Sequence, residues 1–286
     1  REKAPQPDIV SGATVTILVA ADSIVRSAVR LIKTGRINLP GQAATAAAAT
    51  VKETVDLEKS EIRNWEDLVG DGSVRRLNLT VGEVNAAFER SGHADAAAHP
   101  ESDDPDDTFI DLYTALVSIP TIGRSLLGDA GYAALQRRLK PGQNAILIAG
   151  NGLYSFKGSG YVRGGIFDRI QLIQEGSTTR FRDRNHQRLG SIEAIGAPAF
   201  SEIGLFVIQQ NFAFNPVDQW QLQLLAQRAT SPREKAFLTF DLAYKLPDLY
   251  IKREPLPPQP AAPPAAAPQP ESTTVEVAQE DAFWKQ

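Results

Sequence analysis

Residues 140–150 read KPGQNAILIAG, and the character of the chain changes at that point. Lys140-Pro141-Gly142 is turn chemistry, with proline presetting φ and glycine free to take a positive one. Beyond it, Ala145–Ala149, Gly165–Gln174, Thr178–Arg184, Gly204–Gln209, Gln219–Leu225 and Lys235–Tyr244 are predicted strands, several separated by glycine-rich turns. On the N-terminal side, Val74–Leu79 alternates like a strand and Thr80 is placed to cap a short helix through Phe88. Further helices are predicted near Ile110–Val117 and over Ala130–Leu139. The expected fold is α+β, with a largely antiparallel sheet in the C-terminal half of this module.

Outward from this module the chain is simpler. Residues 14–34 carry Ile17, Ala21, Ile24, Ala28 and Leu31 at helical spacing, with Gly35 as a C-terminal cap. The alanine-rich stretch 41–50 has no packing face and reads as linker. Glu101–Asp107 holds five acids in seven positions and is expected to be a solvated loop. Half of the positions from Pro255 to Pro270 are proline, which suits a polyproline-like spacer with a reach of about 50 Å. The terminal Phe283-Trp284-Lys285 sets aromatics beside a base, a pairing common at membrane interfaces. Trp65 and Trp220 read as core anchors.

Composition excludes several chemistries. The 286 residues contain no cysteine, so iron–sulfur clusters, disulfides and thiolate metal sites have no ligands here. His93, His99 and His186 are too scattered to suggest a metal site. A redox role would therefore need an organic cofactor. The net charge of −4 argues against direct binding of nucleic acid, and no apolar run is long enough to span a membrane. The absence of methionine leads to the expectation that residue 1 is not a translation start.

The segment Asp8-Ile9-Val10-Ser11-Gly12-Ala13-Thr14 has two readings. By ordinary preferences it is a turn leading into a capped helix. Its chemistry also suits a phosphate ester: Gly12 and Ala13 admit a bulky group close to the backbone, and Thr14 stands at the positive end of the expected helix. The glycine cluster at 158–165 fits no phosphate-loop pattern and is read as hairpin turns. Tyr154, Phe156, Lys157 and Arg163 beside it are a possible docking surface. Arg180, Arg182 and Arg184 alternate along one strand face, with His186 and Arg188 nearby. They read as a solvated face, with docking of an acidic partner as the alternative. No nucleophile–base pair, paired carboxylates or metal-ligand spacing points to hydrolysis.

Asp-x-x-Ser-Gly-Ala-Thr at 8–14 resembles the flavinylation motif of FMN-binding domains. The segments TVGEVNAAF (80–88), VSIPTIGRSLLG (117–128), YSFKGSGYVRGGIFDRIQLIQ (154–174) and KAFLTFDL (235–242) resemble the NosR/NirI family, as does the proline-rich tail. The resemblance implies FMN joined to Thr14 by a phosphoester, with Asp8, Ser11, Gly12 and Ala13 as the recognition motif and a separate flavin transferase as the attaching enzyme. Thr16, the nearest other hydroxyl, does not match the motif. In the family most of the flavin-binding fold precedes this motif. The implied organisation is therefore the C-terminal part of an FMN-binding domain at 1–37, a linker at 38–64, an α+β periplasmic module at 65–253 and a spacer toward the membrane at 254–286.

The function implied is electron transfer to nitrous oxide reductase, and support of its expression and maturation, by a non-enzymatic flavoprotein. Its setting would be periplasmic, tethered to the inner membrane through segments outside this chain. Partners would be the nitrous oxide reductase system and a downstream membrane and iron–sulfur portion of the same protein. A non-catalytic docking or sensing module is the alternative. A flavin enzyme with its own substrate is a third reading, without a recognisable substrate pocket.

Overall fold

A computed structural model describes residues 51–158, 160–231 and 234–255. In chain order the elements are β1 (Val51–Val55), α1 (Trp65–Gly70), β2 (Val74–Thr80), α2 (Val81–Arg90), α3 (Ala94–Ala97), β3 (Thr108–Leu116) and α4 (Pro120–Arg138). They continue with β4 (Ala145–Asn151), α5 (Gly160–Gly164), β5 (Ile166–Gln174), β6 (Ser177–Arg182) and β7 (His186–Arg188). The last are β8 (Glu202–Val207), β9 (Trp220–Ala229), β10 (Lys235–Tyr244) and β11 (Ile251–Pro255). Among the described residues these form an antiparallel five-stranded sheet, β2-β3-β4-β8-β7, an antiparallel four-stranded sheet, β10-β9-β5-β6, and the pair β1-β11. The architecture is α+β, as the turn and strand signals predict.

One expected helix is a strand. Ile110–Val117 falls almost entirely within β3, whose residues from Phe109 to Leu116 are buried apart from half-buried Asp111. A strand enclosed on both faces loses the alternation that marks a half-exposed one, so its apolar run is indistinguishable from a buried helix. The β2–α2 junction follows the sequence closely. Thr80 Oγ1 accepts from the Glu83 amide at 3.2 Å, and the Glu83 carboxylate accepts from the Thr80 amide at 2.8 Å, closing a capping box.

Pro120 opens α4 at a position where its missing N–H costs nothing, and the helix kinks at Gly128, whose φ is 68°. Its second limb accommodates the helix expected over Ala130–Leu139. Gly123 is compulsory: a Cβ there would lie 2.2 Å from the Val117 carbonyl oxygen and 2.5 Å from the Tyr132 ring. Packing thus accounts for Gly123 in the 117–128 segment, and backbone conformation for Gly128.

Two features depart from the expected boundaries. β1 lies inside the stretch 38–64 read as linker, and it pairs residue by residue with β11 from Val51–Pro255 to Val55–Ile251. Glu101, expected in a solvated loop, instead receives both ends of the Arg228 guanidinium, at 3.1 Å from Nε and 2.5 Å from Nη2. Arg228 is 5% exposed, lies over the Phe88 ring, and also donates to Asn85. A buried arginine is tolerable only when its charge and donors are met, and this one fastens β9 to α2.

Candidate functional site

Asp8, Ser11, Gly12, Ala13, Thr14 and Thr16 lie outside the described residues, as do the helix expected at 14–34, the alanine-rich stretch 41–50 and the spacer beyond Pro255. The described residues supply a different polar centre, around the glycine-rich segment. That segment is not a run of hairpin turns. Gly160–Gly164 forms the short α5, flanked by Gly158 and Gly165, both at φ 65°. The adjoining β5–β6 connection is the tight hairpin, turning on Glu175 and Gly176 with φ of 48° and 75°.

The glycines let the chain pass closely over Asp168. A Cβ on Gly158 would stand 2.4 Å from Asp168 Oδ1, and one on Gly160 would stand 2.7 Å from its Cγ. Next to Asp168, the Arg169 guanidinium lies 4.1 Å from the Tyr154 ring centroid and donates to the Ser155 carbonyl at 2.8 Å. Ser155 in turn donates to Glu202 at 2.5 Å. Tyr154 donates to the Leu225 carbonyl at 2.9 Å, linking this segment to β9.

Tyr154, Phe156 and Lys157 are all buried, so they do not form the exposed docking surface the sequence suggested. Arg163 falls within α5. Burial pulls the Lys157 ammonium below the ordinary lysine range; the Glu202 carboxylate opposes this and Arg188 adds to it. His186 sits in an aromatic cluster, with ring centroids 4.9 Å from Phe167 and 4.8 Å from Phe206. Burial lowers its pKa, the Lys157 charge lowers it further, and Asp183 opposes at 3.6 Å. Asp168 Oδ1, Arg169 Nε and His186 Nε2 are buried and have no hydrogen-bond partner among the described residues. Lys157 and His186 are thus the two groups of this centre whose titration its neighbours shift, Lys157 through Glu202 and Arg188, and His186 through Lys157 and Asp183.

His93 and His99 stay apart from this centre; His99 is exposed and bonds to the Asp95 carbonyl at 2.8 Å. No group of three or more metal-ligating side chains occurs among the described residues. Trp65 is half-buried between Tyr113 and Phe200, while Trp220 is fully buried on Tyr244. An open groove of about 460 Å³ lies at the β5–β6 turn, bordered by Glu175, Asp218 and Asp241, with no cation among the described residues that line it. That charge is the wrong sign for a flavin phosphate. No helix among the described residues is long and apolar enough to cross a membrane.

No family model matches the chain, and no solved structure matches it. Curated proteins do. The Regulatory protein NosR of Stutzerimonas stutzeri is 43% identical over 249 residues, covering 87% of this chain and 34% of that protein. The Regulatory protein NosR of Pseudomonas aeruginosa is 42% identical over 266 residues, covering 91% and 35%. Protein NirI of Paracoccus denitrificans is 28% identical over 251 residues, covering 87% and 34%. The chain spans about a third of the length of these relatives. Similarity at this level, over nearly all of the residues present, places the chain in the NosR/NirI family.

Proposed function

We propose that this chain is part of a periplasmic, membrane-tethered flavoprotein that supports nitrous oxide reduction in denitrification. The regulatory part of this reading rests on the names of the two relatives above 40% identity. The redox part rests on one observation, the match of residues 8–14 to Asp-x-x-Ser-Gly-Ala-Thr. In this reading Thr14 Oγ forms the ester to the FMN phosphate, Gly12 and Ala13 leave room for it, and Asp8 and Ser11 complete the motif read by a flavin transferase. Bound FMN supplies the organic redox centre that a cysteine-free chain requires. Electron supply to nitrous oxide reductase, and support of its expression and maturation, are the two outputs. A downstream membrane and iron–sulfur portion of the protein is the proposed electron source.

The described α+β body serves as the rigid support and contact surface in this scheme, with no chemistry of its own assigned. A docking or sensing role without electron transfer is the second reading, favoured by the exposed arginines of β6 and β7. The experiment that separates them is Thr14→Ala in the full-length protein, in cells respiring nitrous oxide. Loss of nitrous oxide reduction with normal levels of the variant and of the reductase supports electron supply. Unimpaired reduction supports the second reading.

A further inference from the structure

Strands β6 and β7 follow one another in the chain, and each is the outermost strand of its sheet. Along this joint edge Arg180, Arg182, Arg184 and Arg188 are exposed, and none makes an ion pair among the described residues. Two further exposed cations are brought to the same face. Arg138, at the end of α4, donates to Gln187 of β7. Lys140 donates to Gln210 at 3.3 Å, and the neighbouring Gln209 donates to the Arg180 carbonyl at 2.6 Å. The only carboxylate within the 180–188 stretch, Asp183, faces His186. Within 180–188 four exposed arginines stand against one acid, a strongly positive edge on a chain whose net charge is −4.

Edge protection alone does not require this arrangement. A single charge blunts a strand edge, and alternating signs do so without self-repulsion. Here Arg180 and Arg182 point from the same face of β6, two residues apart, with no acid between them. The charge is also arginine almost throughout, the side chain whose planar fork pairs carboxylates in two-point fashion. An apolar patch adjoins it. Ile166, directly opposite Arg182 in the β5–β6 register, is 36% exposed, and Val162 on α5 is 73% exposed. A small apolar centre with a charged rim is the anatomy of a protein–protein contact. The aromatics beneath, Phe167, Phe181 and Phe206, are buried, so no stacking platform faces outward for nucleic acid.

We infer that the β6–β7 edge is a docking surface for the acidic face of a partner protein, held by Arg180, Arg182, Arg184 and Arg188 around Val162 and Ile166. The test uses the full chain and a short fluorescein-labelled poly-L-glutamate peptide, read by fluorescence anisotropy at low and physiological salt. Phosphatidylglycerol vesicles and duplex DNA are titrated in parallel. The expected result is peptide binding that weakens with salt and falls by about tenfold or more in R180E/R182E/R184E. The neutral set R180Q/R182Q/R184Q should lie between, and reversing the exposed cations Arg90 of α2 and Lys235 of β10 should change nothing. Peptide binding that survives the triple reversal overturns the assignment. So does absence of peptide binding, or binding of vesicles or DNA through these arginines at least as tightly as the peptide.

Discussion

The Tyr244 hydroxyl donates to the Ser73 carbonyl at 3.0 Å, across the boundary between the four-stranded and five-stranded sheets. The same oxygen accepts from the Leu116 amide at 3.4 Å, and the ring stacks on Trp220 at 4.5 Å. Both side chains are fully buried, and burial holds the phenol well above its ordinary range. The hydroxyl is therefore a neutral, buried polar link between the two sheets.

Tyr244→Phe keeps the stacking and removes the link. It strands a buried carbonyl and a buried amide, which costs about 1–3 kcal/mol. Urea unfolding should show a lower midpoint at unchanged slope; an unchanged midpoint would mean that water or a neighbour replaces the hydroxyl.

A second prediction concerns residues 51–64, read from sequence as part of a linker. Besides the β1–β11 ladder, this segment contributes Arg63, which pairs with Asp71 and donates to the Tyr250 hydroxyl at 3.3 Å. A chain beginning at residue 65 should melt below one beginning at residue 50, by roughly 2–4 °C for each kcal/mol lost. Equal melting temperatures would show that β1 and Arg63 add no stability.

The third prediction is a pH dependence. The folded state lowers the pKa of His186, so the unfolded chain binds the proton more readily. Stability attributable to His186 is full above the unfolded value of about 6.5 and is lost as pH falls below it. His186→Phe should flatten that part of the stability–pH curve. A folded-state titration by NMR that gives His186 an ordinary or raised pKa would contradict the cause assigned to it.

Much of the fold was legible because the residues that determine it act locally. Lys235–Tyr244 is a strand over the span expected, and Thr80 with Glu83 announces the start of α2 within four positions. The misread elements depend on distant partners. Thr108–Leu116 is a strand because layers on both sides bury it, and Val51–Val55 is one because its partner lies some two hundred positions away. The polar centre was equally hidden: Lys157, Asp168, His186 and Glu202 come together only through the sheets, with no spacing that marks them as a group. The motif at 8–14 is the reverse case, legible in the sequence and outside the described residues.

Whether Thr14 carries FMN is read from the intact mass of the full-length protein. The protein is purified from a host that contains the flavin transferase, alongside its Thr14→Ala variant. The expected result is an added mass equal to FMN less one water, located on the peptide that carries Thr14 and missing from the variant. A protein without the added mass, or a variant that retains it on Thr16 or elsewhere, would show that Thr14 is not the site of FMN attachment.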